Sequence, residues 1–257
     1  MILRRLSDNL RTQNWLAIAI ELVIVVIGVF IGIQVANWNA VRLERNTAQT
    51  YITRIREDLA ANVTDMQARI AYYQWVKAHA MEALAAFERP PEEIGAQFLI
   101  DAYQASQILP RTFGRNTYDE VLSVGGINSI SDVDMRRRLA NFYLTAQTRE
   151  VILRYIPPYR ESLRRHMPYA VQVQMTKKCT ERLGADEQGA PVVTLPQQCS
   201  LELSPDELSA AVAAVKIPEI ELDLNRCLAD VDSKLTMFQD LIDRAQSLDA
   251  YLAKAAP

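Results

Sequence analysis

One narrow face of an apolar N-terminal segment combines an acidic side chain, an amide and two glycines, which together could hold a second helix. At about 100° per helical residue, Gly28, Gly32 and Asn39 fall within roughly 20° of Glu21, and two valines fall within about 40°. Gly-x-x-x-Gly spacing lets another helix approach closely. A carboxylate inside a membrane is costly unless it is paired, protonated or able to reach the headgroups. We call this face the anchor stripe; it consists of Glu21, Val25, Gly28, Gly32, Val35 and Asn39.

The anchor stripe has two explanations that the sequence leaves open. In the first, it docks a partner transmembrane helix. A different protein that offers a cation or a hydroxyl suits Glu21 better than a second copy, because two copies would bring two carboxylates together. In the second explanation, Glu21 lies only six residues inside Trp15, roughly 9 Å along the helix, and its side chain extends to the lipid headgroups.

Side chains for catalysis or metal binding are scarce in the rest of the chain. Only two histidines, His79 and His166, are present and no Cys-x-x-Cys pair occurs. The sequence therefore offers too few suitable side chains for a histidine-dependent triad or a metal site. There is no glycine-rich phosphate loop, and Ser123 and Ser129 lack the Gly-x-Ser-x-Gly elbow. We therefore predict that the protein is not an enzyme and that it carries no metal and no cofactor.

Pairs of charged side chains elsewhere fit structural roles better than chemical ones. Asp132 with Asp134, and Glu92 with Glu93, stand where helices are predicted to begin, and the helix dipole favours acidic residues there. The arginines at 136–138 are expected to form a solvated or ion-paired face.

Three cysteines, Cys179, Cys199 and Cys227, lie in the second half of the chain. Cys179 and Cys199 flank a segment rich in glycine and proline, and an exported domain would allow them to pair. Such a disulfide would constrain the unfolded chain by roughly 3 kcal/mol in the loop-entropy model. Cys227 would then be left over, although the spacing also permits its pairing with either of the others.

The apolar segment between Trp15 and Trp38 is predicted to span a membrane as a helix. The two tryptophans are 23 residues apart, which corresponds to roughly 34 Å of helix, against a hydrocarbon layer of about 30 Å. Tryptophan favours the membrane–water boundary, so we interpret both as interface anchors in membrane lipid. The apolar run exceeds that of a cleaved signal peptide and no suitable cleavage site follows it, which predicts a permanent anchor.

The charges that flank the anchor predict its orientation. Three arginines lie within residues 1–14, and positive residues mark the cytoplasmic side of a membrane. We expect residues 1–14 to be a short cytoplasmic tail, residues 15–38 the anchor and residues 39–257 an extracytoplasmic domain. In a bacterium this places the protein in the inner membrane, with the C-terminal domain in the periplasm.

Helical periodicity predicts an all-α fold, in which one N-terminal transmembrane helix continues into an extracytoplasmic up-and-down bundle. Apolar residues recur at spacings of three and four from Tyr51 to Phe87, so the anchor helix is expected to run to about residue 88, where two prolines end it. Three long helices, at about 40–88, 131–167 and 219–255, should supply the core.

Local signals predict where the shorter elements begin and end. A helix is expected at 92–109, and residues 168–203 are expected to be an irregular segment that a disulfide could staple, with a short strand at 190–195. The boundary signals are an N-cap at Asn116, a left-handed stop at Gly125, an N-cap at Ser131, a break at Pro157 and a capping box from Ser204 to Glu207.

Two blocks of the sequence resemble a known family. The first contains Glu21, Ile27–Val35 and Asn37-Trp38-Asn39; the second runs from Asn116 to Val121 and continues through Ser123, Gly125, Arg137, Leu139 and Tyr143. They resemble a widespread bacterial family of single-pass membrane proteins, known only as a domain of unknown function, whose anchor ends in a Gln-x-x-Asn-Trp-Asn-like exit. The chain departs from that pattern at Ala36, where the family has a second asparagine, and at Gly126. The resemblance implies a membrane-anchored protein without a described activity and supplies no catalytic residues.

Two classes of function remain. A net charge of −3 gives no indication of a nucleic-acid-binding surface. The first class is an accessory or scaffolding subunit that docks other membrane or periplasmic proteins. The alternative is an extracytoplasmic ligand-binding or sensory module that signals through a partner, its ligand unidentified. An enclosed polar pocket near Arg115, Tyr118 and Tyr143 would favour the alternative.

Overall fold

Helices make up most of the protein, and the predicted all-α fold is confirmed. The computed structural model describes residues 15–110, 112–185, 191–194, 196 and 198–255. The expected cytoplasmic tail, 1–14, lies outside the described residues. The helices are α1 Trp15–Phe87, α2 Ala96–Ala105, α3 Asn116–Ser123, α4 Val133–Leu153, α5 Pro158–His166, α6 Tyr169–Lys178, α7 Pro205–Val215 and α8 Pro218–Ala255.

The first helix, α1, joins the apolar segment to the bundle without interruption. It has 73 residues, which corresponds to roughly 110 Å. Its most apolar 18-residue window has a mean hydropathy of 2.7 and none of that window is buried, so α1 is long and apolar enough to cross a membrane. From Ala48 onwards, one side of α1 is buried and forms the centre of the core. The predicted continuation of the anchor into the bundle is therefore confirmed.

Three long helical stretches pack side by side, with α8 antiparallel to both of the others: on α4, Arg138 and Arg149 contact Tyr251 and Asp240 of α8 in reverse order. The final helix, α8, packs antiparallel along α1, and two ion pairs mark the register: Arg56 lies 2.7 Å from Asp249, and Lys77 lies 2.6 Å from Asp232. Helix α4 also packs along α8. The two prolines at 157–158 split the long helix expected at 131–167, so that α4 ends at 153 and α5 begins at 158.

Between these stretches, α2 and α3 descend along α1. The side chain of Asn62 on α1 holds the connection by donating to the carbonyl oxygen of Gly114 at 2.7 Å and accepting from its N–H at 2.8 Å. The stop predicted after α3 is present, because Gly125 adopts a left-handed conformation with φ of 70°. The neighbouring Gly126 packs so closely on Tyr51 that a Cβ there would lie 2.7 Å from the ring. The turn therefore seats against α1.

The cap predicted for α4 is wrong by one residue. Asp132 caps the helix, not Ser131, because the Asp132 carboxylate accepts from the N–H groups of Asp134 at 2.8 Å and Met135 at 3.1 Å. At α7 the predicted capping box is present between Ser204 and Glu207.

The cap predicted for α3 is also wrong. Asn116 is the first helical residue, so the N-cap position falls on Arg115, whose side chain makes no cap hydrogen bond. The N–H of Thr117 donates instead to the carboxylate of Asp58, on α1, at 3.1 Å. The cap is thus supplied by a residue that is distant in sequence, and a local signal could not reveal it.

The segment 168–203 is more regular than predicted. Its first part is α6, because Val171 and Met175, four residues apart, pack into the core. The strands β1 Arg182–Ala185 and β2 Pro191–Thr194 then form an antiparallel hairpin, with β2 inside the expected strand. The helix expected at 92–109 is shorter than predicted: a 3₁₀ turn at Pro91–Glu93 precedes α2, which ends at residue 105.

Candidate functional sites

The anchor stripe lies on the part of α1 that the bundle leaves bare. All residues from 22 to 46 are exposed, and nothing lies within 4 Å of a Cβ built at Gly28 or Gly32. Oε2 of Glu21 is not accessible to solvent and makes no hydrogen bond within the described residues. The geometry thus leaves open space beside both glycines and one carboxylate oxygen, Oε2 of Glu21, without a partner among the described residues.

The two tryptophans at the ends of the apolar segment are both exposed. The guanidinium of Arg42 lies 5.8 Å from the centre of the Trp38 ring, on the bundle side. An aromatic ring with a cation beside it is suited to the headgroup region, where one end of the pair is apolar and the other is wet. Sequence analysis had not assigned Arg42 to this boundary.

The block from Asn116 to Tyr143 forms packing contacts. The rings of Tyr118 and Tyr143 are buried and stack with their centres 4.1 Å apart. Burial raises the pKa of both phenols, so both are neutral at physiological pH. Arg115 binds Asp119 at 2.7 Å on the surface. The two tyrosine rings thus fill the space between α3 and α4, and Arg115 is held on the surface by Asp119.

The two serines, the Asp132–Asp134 pair and the arginines at 136–138 have structural partners, while Glu92 and Glu93 lie in the 3₁₀ turn at Pro91–Glu93. The hydroxyls of Ser123 and Ser129 donate to carbonyl oxygens of their own turns, at 2.8 Å and 2.6 Å. Asp134 pairs with Arg137 at 3.0 Å, while Asp132 caps α4.

The remaining arginines of the cluster are also engaged. Arg136 donates to the carbonyl oxygen of Ile130, and the Arg138 guanidinium lies 4.3 Å from the centre of the Tyr251 ring. Within the described part of the chain, no group of three or more His, Cys, Asp or Glu side chains is placed to hold a metal ion.

Cys179 and Cys199 are joined by a disulfide, with their Cα atoms 5.2 Å apart, and Cys227 is a buried free thiol. The disulfide brackets the β-hairpin and closes it onto α1 and α2. The backbone carbonyl of Cys179 accepts a 2.6 Å hydrogen bond from Nε2 of Gln104 on α2. The cross-link therefore fixes a polar contact inside the bundle as well as the loop.

A polar cleft beside this disulfide was missed by sequence analysis. It has a volume of about 450 Å³ and lies between α1, α2 and the segment after β2. Nδ1 of His79 lies 2.7 Å from Oδ1 of Asp101, to which Gln97 also donates at 2.8 Å. The Trp75 ring meets the His79 ring edge-on, with centres 4.6 Å apart.

A sequence signal for the cleft does exist on α2. Gln97, Asp101 and Gln104 recur at spacings of four and three, and they form a polar line on a helix whose residues 98–105 are all buried. Nothing in the sequence brings that line to His79 or Cys199, because their approach depends on how α1, α2 and the hairpin pack.

Comparison of the chain with family models, with curated proteins and with solved structures finds no match. The resemblance of the anchor and of the Asn116–Tyr143 block to an uncharacterised membrane family therefore stays a prediction.

Proposed function

We propose that this protein is a membrane-anchored, non-enzymatic interaction protein, an accessory or scaffolding subunit that docks other proteins. The observation that carries the proposal is the bare part of α1, where residues 22–46 are exposed, including the anchor stripe from Val25 to Asn39. A groove at Gly28 and Gly32 with a carboxylate at Glu21 is suited to close approach by another transmembrane helix. Membrane lipid surrounds the other faces of the segment.

A second surface supports the same function. Helix α4 carries an exposed apolar face opposite its buried one, because Val133, Leu144 and Val151 lie within about 20° of one line along the helix. Soluble domains rarely expose large contiguous apolar patches, and those that they do expose often bind partners. We call this surface the α4 patch; it consists of that face, Val133, Leu144 and Val151, together with three exposed residues at and just beyond the end of α4, Ile152, Tyr155 and Ile156.

The proposed setting is the bacterial inner membrane, with the N-terminus in the cytoplasm and the bundle outside it. The positive residues before the anchor support this orientation. The disulfide Cys179–Cys199 supports it independently, because disulfides persist in oxidising compartments and are rare in the cytosol.

The test is purification of the tagged full-length protein in mild detergent, with mass spectrometry of the proteins that accompany it. A stoichiometric membrane protein that is lost in Glu21→Gln and in Gly28→Leu supports docking through the anchor stripe. The matched control is Ala19→Leu, which places the same leucine side chain on the opposite face of α1 and should retain the partner. Recovery of the protein alone, or equal loss of the partner in all three variants, overturns docking through this face.

The alternative function, an extracytoplasmic ligand-binding module that signals through a partner, is favoured by one observation. The cleft at Trp75, His79 and Gln104 has a size within the range of small-molecule sites, about 300–1,000 Å³. A soluble ligand that bound there would leave the anchor stripe free to couple to a partner.

A further inference from the structure

The cleft beside the disulfide combines a buried acceptor that has no partner among the described residues with a histidine–carboxylate pair and an aromatic ring. It occupies about 450 Å³ where α1, α2 and the chain after β2 meet. The side chains that matter for the argument are Trp75, His79, Gln97, Gln104 and Gln198, together with the buried Asp101 behind them.

Gln104 is the first of these groups. It is only 1% exposed, and its Nε2 donates to the carbonyl oxygen of Cys179 at 2.6 Å. Because that carbonyl can only accept, the amide orientation is fixed and Oε1 is the atom left over. Oε1 has no hydrogen-bond partner within the described structure. A buried acceptor without a partner is unfavourable, so a ligand that carries a donor would gain by reaching it.

His79 and Asp101 are the second group. A carboxylate only accepts, so Nδ1–H of His79 donates to Asp101 Oδ1 over their 2.7 Å separation, and in the neutral ring Nε2 is left as an acceptor. Gln97 donates to the same oxygen at 2.8 Å. No lysine or arginine among the described residues pairs with Asp101, so the basic group in contact with its carboxylate is the His79 imidazole.

Trp75 supplies an aromatic wall beside these acceptors. Its ring centre lies 4.6 Å from that of His79. A carboxylate, two neutral acceptors and an indole ring together suit a positively charged group that carries N–H donors, since cations are attracted to aromatic faces and to carboxylates. We propose that this cleft binds a small organic ammonium ion, a primary amine in its protonated form. The site is independent of docking through the anchor stripe.

The experiment uses the full-length protein in detergent micelles and Trp75 as the reporter. The chain has three tryptophans, and Trp15→Phe with Trp38→Phe leaves Trp75 as the only indole without altering the bundle. n-Butylammonium chloride is titrated at constant ionic strength, with n-butanol as the uncharged probe of matched length. A saturable change in fluorescence with the amine and none with the alcohol supports the proposal. Equal responses to both probes, or no saturable response to the amine, overturn it.

Variants test the charge directly. Asp101→Asn keeps the shape of the side chain and should weaken amine binding by about tenfold, since it removes the buried negative charge. If Asp101→Asn does not fold, the exposed Gln198 provides a second test: Gln198→Glu should tighten binding and Gln198→Lys should weaken it. The matched control is Gln147→Glu, which adds the same charge on α4 and should leave binding unchanged. Affinity that does not respond to either change at Gln198 contradicts recognition of a cation.

Discussion

Arg69 shows how far the position of a residue can depart from what its type predicts. Arginine is mostly found at surfaces, yet Arg69 is 2% exposed, on the buried side of α1. Its Nε donates to Asp65 at 2.7 Å, and its guanidinium lies 5.3 Å and 5.7 Å from the ring centres of Phe113 and Phe238. The buried side of α1 is thus not purely apolar. The spacing of apolar residues in the sequence does not identify Arg69 as a buried residue.

Replacing Arg69 by alanine should destabilise the protein by about 3 kcal/mol, because removing one partner of a buried ion pair leaves the other uncompensated. The lower end of the usual range applies because Asp65 is 20% exposed and can be partly hydrated. Urea unfolding followed by circular dichroism measures the change. Arg244→Ala, which breaks an exposed pair with Asp240, should change stability by less than about 1 kcal/mol. Equal effects of the two substitutions would contradict the buried role.

Cys227 should be chemically silent in the folded protein. Burial raises the pKa of its thiol to about 12, so at pH 8 the thiol is protonated and the nucleophilic thiolate is absent. Iodoacetamide should therefore add nothing to the native protein at pH 8 and one group after unfolding without reductant, as read by intact mass. Adduct formation on the native protein would show that the thiol is accessible. No adduct after unfolding would show that Cys227 is already oxidised.

At the scale of the element, α4 has two apolar faces, one buried against the core and one exposed. Leu139 is fully buried against the core, whereas Val151 is 74% exposed in the α4 patch. We expect Val151→Glu to change stability by less than about 0.5 kcal/mol, since it alters only the surface. Leu139→Glu should abolish cooperative unfolding because it buries an unpaired charge. Thermal melts of both variants test this, and a Val151→Glu variant that unfolds like Leu139→Glu would contradict the exposed assignment.

The disulfide should stabilise the hairpin and the cleft together. Its two cysteines are separated by 20 residues, and closing a loop of that length is worth about 3 kcal/mol in the chain-entropy model. Reduction should therefore lower Tm by about 6–12 °C for a domain of this size. A variant with both cysteines replaced by alanine serves as control, because reductant should not lower its Tm further. An unchanged Tm on reduction of the native protein would contradict the loop-entropy argument.

The sequence predicts elements better than it predicts their ends. The continuity of α1, the stop at Gly125 and the capping box at Ser204 all rest on local signals, and all three are present. The cap of α3 comes from Asp58, more than fifty residues earlier, and α6 forms because Val171 and Met175 find a core to pack against. Such features depend on tertiary contacts, so the composition of the segment itself does not predict them.

At the scale of the whole molecule, sequence periodicity predicts three helical stretches but not their register. The pairing of Arg56 with Asp249 and of Lys77 with Asp232 fixes how α8 lies along α1. The packing of α2 and of the chain after β2 against α1 brings His79, Gln104 and Cys199 into one cleft. The anchor stripe was visible in the sequence because all its residues lie on one helix, whereas the cleft joins three elements and was not.

The orientation of the whole molecule can be read from two introduced cysteines, because the native ones are unreactive: Cys179 and Cys199 are paired and Cys227 is buried. Tyr169 is 81% exposed on the bundle, and Ser7 lies before the anchor. In spheroplasts, a membrane-impermeant maleimide should label Tyr169→Cys directly and Ser7→Cys only after lysis, since positive residues before the anchor keep that end in the cytoplasm. The reverse pattern would place the bundle in the cytoplasm, where a persistent disulfide is not expected. Labelling of both sites before lysis would mean that the apolar part of α1 does not separate them across a membrane.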